Sequence, residues 1–173
     1  MGNPPFCGRR YRTPEQIEDV AHYFDYKDID YVACWYKKTA DFIQNTQTKC
    51  AFVSTNSISQ GEQVNALWNY LNVNIHFAYR TFRWDSEADI KAHVHCIIIG
   101  FSMCKTENPI IYDGERMVEA KHINGYLLNA PDSYISPRKK PLCDVPAMHN
   151  GNVPLNGDAL KIEANDIHLF DNC

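Results

Sequence analysis

The sequence lacks the long apolar segments of membrane and secreted proteins. No apolar run in its 173 residues approaches the ~20 residues needed to cross a bilayer. Met1 leads into a polar, proline-containing segment with no apolar core of a signal peptide. The seven cysteines include no Cys-x-x-Cys pair, and their odd number argues against a disulfide framework. These absences predict a cytoplasmic protein with reduced thiols and no membrane partner.

An excess of positive charge is also missing, because the formal net charge is −4. Any contact with nucleic acid must therefore come from a local basic surface. Arg9 and Arg10 stand in a stretch without acidic residues, from residue 7 to residue 12. We interpret them as candidate phosphate contacts. A solvated or ion-paired loop explains them equally well.

The most informative segment that is present is Asn3-Pro4-Pro5-Phe6. Its two prolines fix φ and remove two backbone donors, so the loop is stiff and offers carbonyl acceptors. The Asn3 side-chain oxygen and the Pro4 carbonyl suit a bound amino group. The ring of Phe6 offers a flat face on which an extruded nucleobase can stack. The alternative interpretation is an ordinary proline-rich turn.

Two helices are predicted next. Thr13 and Gln16 form a capping-box pattern that starts a helix reaching about Phe24. Asp28 is expected to cap a second helix, which reaches about Gln44 and carries an apolar stripe at helical spacing. The stripe consists of Ile29, Val32, Tyr36, Ala40 and Ile43, and it is widened by Tyr31, Trp35 and Phe42, which predicts that the helix is covered on more than one side.

The remaining pattern predicts a sheet. Residues 49–55 read as a buried parallel strand, followed by a helix over 62–71. Residues 73–84 and 92–101 read as antiparallel neighbours, since their connection is too short for a parallel crossover. A β-hairpin closed by Asp113-Gly114 follows over 109–118. The polar side chains after the first strand are either the rim of a site or turn-forming residues: Thr55, Asn56, Ser57 and Gln60.

His93 and His95 would share one face of a strand, as two ligands of a metal do. No third ligand stands at a telling spacing, so structural histidines are expected and no metal site is predicted.

Six segments, in this order, resemble one enzyme family. They are residues 2–8 (GNPPFCG), 30–36 (DYVACWY), 52–63 (FVSTNSISQGEQ), 82–84 (FRW), 95–101 (HCIIIGF) and 141–146 (PLCDVP). Together they are similar to the MmeI-like DNA adenine-N6 methyltransferases, the type IIL restriction–modification enzymes. The resemblance covers nearly the whole chain.

The resemblance implies a fold and a division into domains. The fold is α/β: the C-terminal half of a class I, Rossmann-like methyltransferase sheet with strands 5-7-6, whose last strand is antiparallel, plus a small β-rich appendage. Residues 1–105 would belong to the catalytic domain. Residues 106–173 would begin the target recognition domain.

The resemblance also implies roles for single residues. Asn3, Pro4, Pro5 and Phe6 would form the catalytic loop that binds a flipped adenine. Asp30 and Tyr31 would help to shape the S-adenosylmethionine site. Contacts with double-stranded DNA would come from a larger set: Arg9, Arg10, Arg80, Phe82, Arg83, Trp84, Arg138 and Lys139.

Parts of the family pattern are absent from this sequence. The glycine-rich cofactor motif and the acidic residue that holds the ribose are missing, so the chain resembles a fragment that is inactive alone. The edge of strand 49–55 is then expected to be bare, and to pair with a second copy or a complementing chain. Two alternatives stay open: a non-enzymatic DNA-binding or complementing module, and a protein-glutamine amino-methyltransferase.

Overall fold

The computed structural model describes residues 1–84, 94–138, 140–141 and 143–146. The chain divides into two compact units, Met1–Pro137 and Arg138–Cys173. The first unit contains three α-helices, α1 (Pro14–Tyr23), α2 (Val32–Phe42) and α3 (Gly61–Trp68). It also contains five strands: β1 (Cys50–Thr55), β2 (Asn74–Trp84), β3 (Val94–Ser102), β4 (Ile110–Asp113) and β5 (Arg116–Glu119).

The capping box predicted for α1 is confirmed. The Thr13 side chain accepts from the Gln16 amide at 3.3 Å, and the Gln16 side chain accepts from the Thr13 amide at 3.0 Å. The start predicted for α2 is wrong, because that helix begins at Val32 rather than after Asp28. Asp28 instead forms an ion pair with Arg9. The Asp30 carboxylate accepts from the amide of Val32, in the first turn, at 3.3 Å.

The apolar stripe of α2 is confirmed as core. Its side chains pack into one cluster with α1, α3 and the sheet, and Tyr36 is fully buried against Phe52, Trp68 and Phe101. The prediction that other faces of α2 are also covered is wrong at two positions, since Trp35 is 42% exposed and Phe42 is 85% exposed.

The five strands form one sheet in the order β1-β3-β2-β4-β5. β3 lies between β1 and β2 and is antiparallel to both, which confirms the predicted pairing of β2 with β3. The prediction that residues 49–55 form a parallel strand is wrong for the main pairing of β1, because all six of its residues pair with β3 in antiparallel register. Two of its residues, Ala51 and Ser54, are buried, and the other four are partly buried.

The sequence predicted that the opposite edge of β1 is bare, and this is wrong at one position. Gly2 forms a parallel bridge with Phe52. The Gly2 amide donates to the Ala51 carbonyl at 3.0 Å, and the Val53 amide donates to the Gly2 carbonyl at 3.1 Å. The N-terminal segment therefore begins as a short additional strand beside β1.

The predicted hairpin is confirmed as β4 and β5, and Gly114 takes a φ of 62° in its two-residue turn. Positive φ at the first turn position favours glycine and fits a type II′ turn. β4 pairs with β2 in parallel, so the hairpin extends the same sheet. The compact unit thus continues through the predicted boundary between residues 105 and 106, and ends at Pro137.

Among the described residues, no helix is long and apolar enough to span a membrane. His95 is exposed on β3, and His93 lies outside the described residues, as does the polar turn predicted over 85–89.

Candidate functional site

The Asn3–Phe6 loop is held by backbone hydrogen bonds at both of its ends. Gly2, just before it, is paired with β1 through two hydrogen bonds. Cys7, just after it, accepts from the Tyr31 amide through its carbonyl at 3.1 Å. The Cys7 amide donates to the Asp30 carboxylate at 3.4 Å. The four intervening residues, two of them prolines, therefore connect two fixed points and have little conformational freedom.

Asp30 links this loop to the carboxyl end of β1. Its Oδ1 accepts from the amides of Cys7 and Val32, and its Oδ2 accepts from the Thr55 hydroxyl at 3.0 Å and the Ser57 hydroxyl at 3.4 Å. Asp30 is only 8% exposed. A buried carboxylate is costly unless hydrogen bonds surround it, and here two amides and two hydroxyls do so. The loop thus lies beside the end of the first strand.

Within the loop, the side chains differ in exposure. Asn3 is exposed, and its amide has no hydrogen-bond partner in the described part of the chain. Pro4 is buried, whereas Pro5 is exposed. Phe6 is partly buried and packs against the hydrophobic core. The loop therefore presents the side-chain amide of Asn3 to solvent, and its aromatic ring, Phe6, is held in place by the hydrophobic core.

Tyr31 connects α2 to α1. Its hydroxyl donates to the Asp19 carboxylate at 2.6 Å, and this hydrogen bond raises the pKa of Tyr31 to about 12. Burial raises the pKa of the neighbouring Cys34 thiol to about 11, so this cysteine is protonated at neutral pH and a poor nucleophile. Tyr31 and Cys34 line a cavity of only about 90 Å³.

S-adenosylmethionine does not fit the cavity that Tyr31 lines. Ligand sites usually measure about 300–1,000 Å³, well above the cavity at Tyr31. Both oxygens of Asp30, the other residue predicted for this role, are engaged with protein groups. No group of three or more metal-ligating side chains is found in the described ranges either.

Phe82, an aromatic residue predicted on β2, lies at the same end of the strands as the loop. Thr55 pairs with Cys96, and Cys96 pairs with Phe82, so the three residues form one row across the sheet. Thr55 and Phe82, the two ends of this row, are therefore two strand spacings apart, about 10 Å. Phe82 makes an edge-to-face contact with Tyr79. Beyond Phe82, Arg83 is exposed and the backbone of Trp84 pairs with Val94.

The structure distributes the other predicted DNA-binding cations along the chain. Arg9 pairs with Asp28, and Arg80 pairs with Asp113 at 3.1 Å. Arg80 also lines a cavity of about 340 Å³ beside the start of α3. Arg10 is exposed without an acidic partner in the described ranges. In the second unit Arg138 is exposed, and Lys139 lies outside the described residues.

Two residues of the site were missed by sequence reasoning. Cys7 contacts Asp30 and Tyr31 through its backbone groups, which give no signal in the residue type. Gln63, on α3, accepts from the Asp30 amide at 2.9 Å through its side chain. A contact between residues 33 positions apart has no local pattern that would reveal it.

Comparison with known proteins matches this chain to enzymes that act on DNA. Residues 1–113 match the family model described as MmeI, DNA-methyltransferase domain. The chain is 36% identical over 168 residues to DNA methyltransferase A of Bacillus subtilis (strain 168), covering 92% of this chain and 19% of that protein. A solved structure of the type IIL restriction–modification enzyme MmeI in complex with DNA superposes with a TM-score of 0.81 at 44% identity, covering 87% of this chain and 22% of that one.

The mixed α/β fold and these matches define a class, the DNA methyltransferases. Within that class, the chain belongs to the MmeI family, as its sequence motifs had indicated. It spans about a fifth of the length of each of the two relatives.

Proposed function

We propose that this chain is the part of a DNA adenine-N6 methyltransferase that receives the target base. The observation that carries the proposal is the Asn3–Phe6 loop, fixed between two backbone anchors beside the carboxyl end of β1. Methyltransferases of this kind generally use S-adenosylmethionine as the methyl donor. The donor would be held mainly by residues other than those described here.

The loop has the chemistry that an exocyclic amino group requires. The Asn3 side-chain oxygen and the Pro4 carbonyl accept hydrogen bonds from the two protons of adenine N6. This holds the nitrogen in place and leaves its lone pair directed at an incoming methyl group. Pro5 keeps the backbone extended, and Phe6 stacks on the base. Stacking offsets part of the few kcal/mol that base flipping costs.

The other predicted residues would place the duplex around this loop. Phe82 would provide a second aromatic surface at the carboxyl end of the strands, and the family resemblance implies the same role for Trp84. Phosphates would be contacted by exposed cations, and the chain beyond residue 106 would begin the target recognition domain. The proposed phosphate contacts are Arg9, Arg10, Arg80, Arg83, Arg138 and Lys139.

The sheet order supports this assignment. β1, β3 and β2 would correspond to strands 5, 7 and 6 of a class I methyltransferase sheet, in which strand 7 is inserted antiparallel between the other two. Gly2 would then stand at the end of strand 4, since it pairs with β1 in parallel. In such sheets, ligands bind beyond the carboxyl ends of the strands.

The test combines DNA binding with methyl transfer. The purified chain should bind a fluorescent DNA duplex without any cofactor, and its affinity should fall steeply with salt concentration. Labelled S-adenosylmethionine should transfer no methyl group to DNA, because the cavity at Tyr31 is too small for the donor and both oxygens of Asp30 are engaged with protein groups. Lack of DNA binding at low salt would contradict the proposal, and methyl transfer by the chain alone would contradict its inactivity. Methylation of a protein acceptor rather than DNA would favour the glutamine-directed alternative.

A further inference from the structure

Asp30 lies at the junction of three segments that build the candidate site. Its carboxylate contacts Cys7 at the end of the loop, Val32 at the start of α2, and the hydroxyls of Thr55 and Ser57 after β1. These segments are 23 to 27 residues distant from Asp30 in the chain, except for Val32, which is two residues away. The carboxylate is thus the polar centre of their packing.

The contacts of Asp30 leave it poorly suited to bind an external ligand. Each of its oxygens already accepts two hydrogen bonds from the protein, and the residue is almost completely buried. A cofactor hydroxyl or a DNA base could reach the carboxylate only by displacing those donors, which would leave buried amides or hydroxyls unsatisfied. A role through its neighbours agrees better with this geometry.

The neighbour that matters most for the reaction is Cys7, because it directly follows Phe6. The Cys7 carbonyl is held by the Tyr31 amide, a backbone contact that does not depend on the side chain at position 30. The Cys7 amide is held by the Asp30 side chain. Asp30 therefore supplies one of the two hydrogen bonds that the Cys7 backbone makes at the downstream end of the loop, where the Cys7 thiol also donates to Gln16 Oε1 at 3.5 Å.

We propose that Asp30 is a positioning residue, which orients the Asn3–Phe6 loop through the Cys7 amide and touches neither DNA nor the methyl donor. The inference rests on the proposed function of that loop. The charge on Asp30 strengthens its bonds to the two amides, and its burial protects them from water. Loss of the carboxylate should loosen the loop before it affects the affinity for DNA.

Two substitutions separate positioning from ligand binding. Asp30→Ala removes all four side-chain contacts. Asp30→Asn keeps an oxygen that can accept from the Cys7 and Val32 amides, and its NH₂ group can donate to the hydroxyls of Thr55 and Ser57, which rotate to accept. Asp25→Ala is the matched control, since Asp25 is exposed in the same α1–α2 connection and has no recorded partner in the described ranges.

The first readout is the rate of amide hydrogen exchange, which NMR measures on the full chain without DNA. Asp30→Ala should lower the protection of the Cys7 amide by about tenfold or more, as expected for the loss of a charged acceptor. The Tyr31 amide, whose acceptor is the Cys7 carbonyl, should lose less protection. Asp30→Asn should retain most of the Cys7 protection, and Asp25→Ala all of it. Unchanged protection of Cys7 in Asp30→Ala would overturn the proposal.

The second readout uses a duplex with a mismatched adenine, whose extrusion is least costly, next to a 2-aminopurine. Fluorescence anisotropy gives the affinity, and the 2-aminopurine intensity at saturation reports whether the neighbouring adenine leaves the stack. Positioning predicts an affinity within about threefold of the unchanged chain but a reduced intensity change for Asp30→Ala, with recovery in Asp30→Asn.

The two readouts distinguish a failure of the proposed role of Asp30 from a failure of the proposed function of the loop. If Asp30→Asn loses the intensity change as completely as Asp30→Ala while keeping its Cys7 protection, Asp30 acts as a charged ligand and the proposal is wrong. If the unchanged chain gives no intensity change at saturating DNA, the proposed function of the loop fails. The exchange experiment still decides whether Asp30 fixes the loop, because it involves no DNA. Should Asp30→Ala fail to fold, Asp30→Asn alone decides between the two roles.

Discussion

At the scale of single residues, Asn3 combines an exposed side chain with a fixed backbone. Its side chain makes no hydrogen bond to the described residues, whereas the segment that carries it is anchored at Gly2 and Cys7. The protein therefore gains no stability from the Asn3 amide. A side chain of this kind can be changed without changing the fold, which makes its function directly testable.

Asn3→Ala should abolish the fluorescence change of 2-aminopurine placed next to a mismatched adenine at saturation, because the acceptor for the exocyclic amino group of that adenine is lost. The free energy of unfolding should change by less than about 0.5 kcal/mol, as for other exposed positions. Asn72→Ala, at another exposed asparagine, is the control and should leave both quantities unchanged. A wild-type fluorescence response from Asn3→Ala would show that this amide does not bind the base.

Tyr36 and Ser54 form a hydrogen bond of 2.7 Å inside the core, and both residues are fully buried. Burial raises the pKa of Tyr36, so its hydroxyl stays protonated across the working range. Tyr36→Phe leaves the Ser54 hydroxyl without its partner, and should lower the free energy of unfolding by about 1–3 kcal/mol. Urea denaturation measures this loss.

A double-mutant cycle isolates the Tyr36–Ser54 bond. Adding Ser54→Ala to Tyr36→Phe removes the orphaned hydroxyl, so the double variant should be more stable than the sum of the two single losses predicts. Strictly additive losses would mean that the two hydroxyls do not interact in solution.

At the scale of elements, the contact between α1 and the start of α2 depends on pH. The hydrogen bond to Asp19 raises the pKa of Tyr31 from 10.0 to about 12, because an ionised phenol cannot donate to the carboxylate. The bond therefore contributes its full stability below about pH 10. That contribution is lost as the pH rises through about 12.

Asp19→Asn should lower the pKa of Tyr31 toward 10, which ultraviolet absorbance during an alkaline titration can measure. Tyr31→Phe should remove the same ionisation from the titration curve, and so identifies it. The stability of both variants should fall less steeply than that of the unchanged chain between pH 10 and pH 12. An unaltered titration curve for Asp19→Asn would show that this bond does not hold the two helices together.

The elements that the sequence predicted correctly are those determined by a few neighbouring residues. The capping box at Thr13 and the turn at Gly114 are determined within four residues, and both were predicted from the sequence. Asp28 has the chemistry of a helix cap, but a distant partner, Arg9, engages it instead. The parallel pairing of β4 with β2 joins residues more than 30 positions apart, and nothing in either strand specifies that partner.

The candidate site divides in the same way. The residue types of the Asn3–Phe6 loop indicated their chemistry directly. The support of the loop did not, because Cys7 acts through its backbone and Asp30 through a burial that only the assembled fold produces. Sequence reasoning could therefore find the group that would meet the base, but not the groups that hold it in place.

At the scale of the whole molecule, the exposed edge of β1 is the feature most relevant to association. Gly2 covers this edge at Phe52, through its bonds to Ala51 and Val53. The rest of the edge is not paired in the described part of the chain. Unpaired strand edges favour pairing with another chain.

We expect the purified chain to self-associate with increasing concentration, or to pair with a complementing chain, through this edge. Gly2→Pro lacks the amide that donates to Ala51, so it should uncover more of the edge and associate at a lower concentration. Gly8→Ala is the control, because a Cβ at Gly8 meets nothing within 4 Å. Light scattering over a concentration series measures the effect, and a monomer at every concentration for both variants would contradict it.

The two anchors of the Asn3–Phe6 loop also restrict how this part of the gene can evolve. Side chains between Gly2 and Cys7 can be exchanged, but an insertion or deletion there would pull one anchor out of register. A one-residue slip at Gly2 would turn its neighbours to the opposite face of the sheet. The fold therefore constrains the length of this segment separately from its composition, and attempts to alter acceptor preference should vary the four identities while preserving their number.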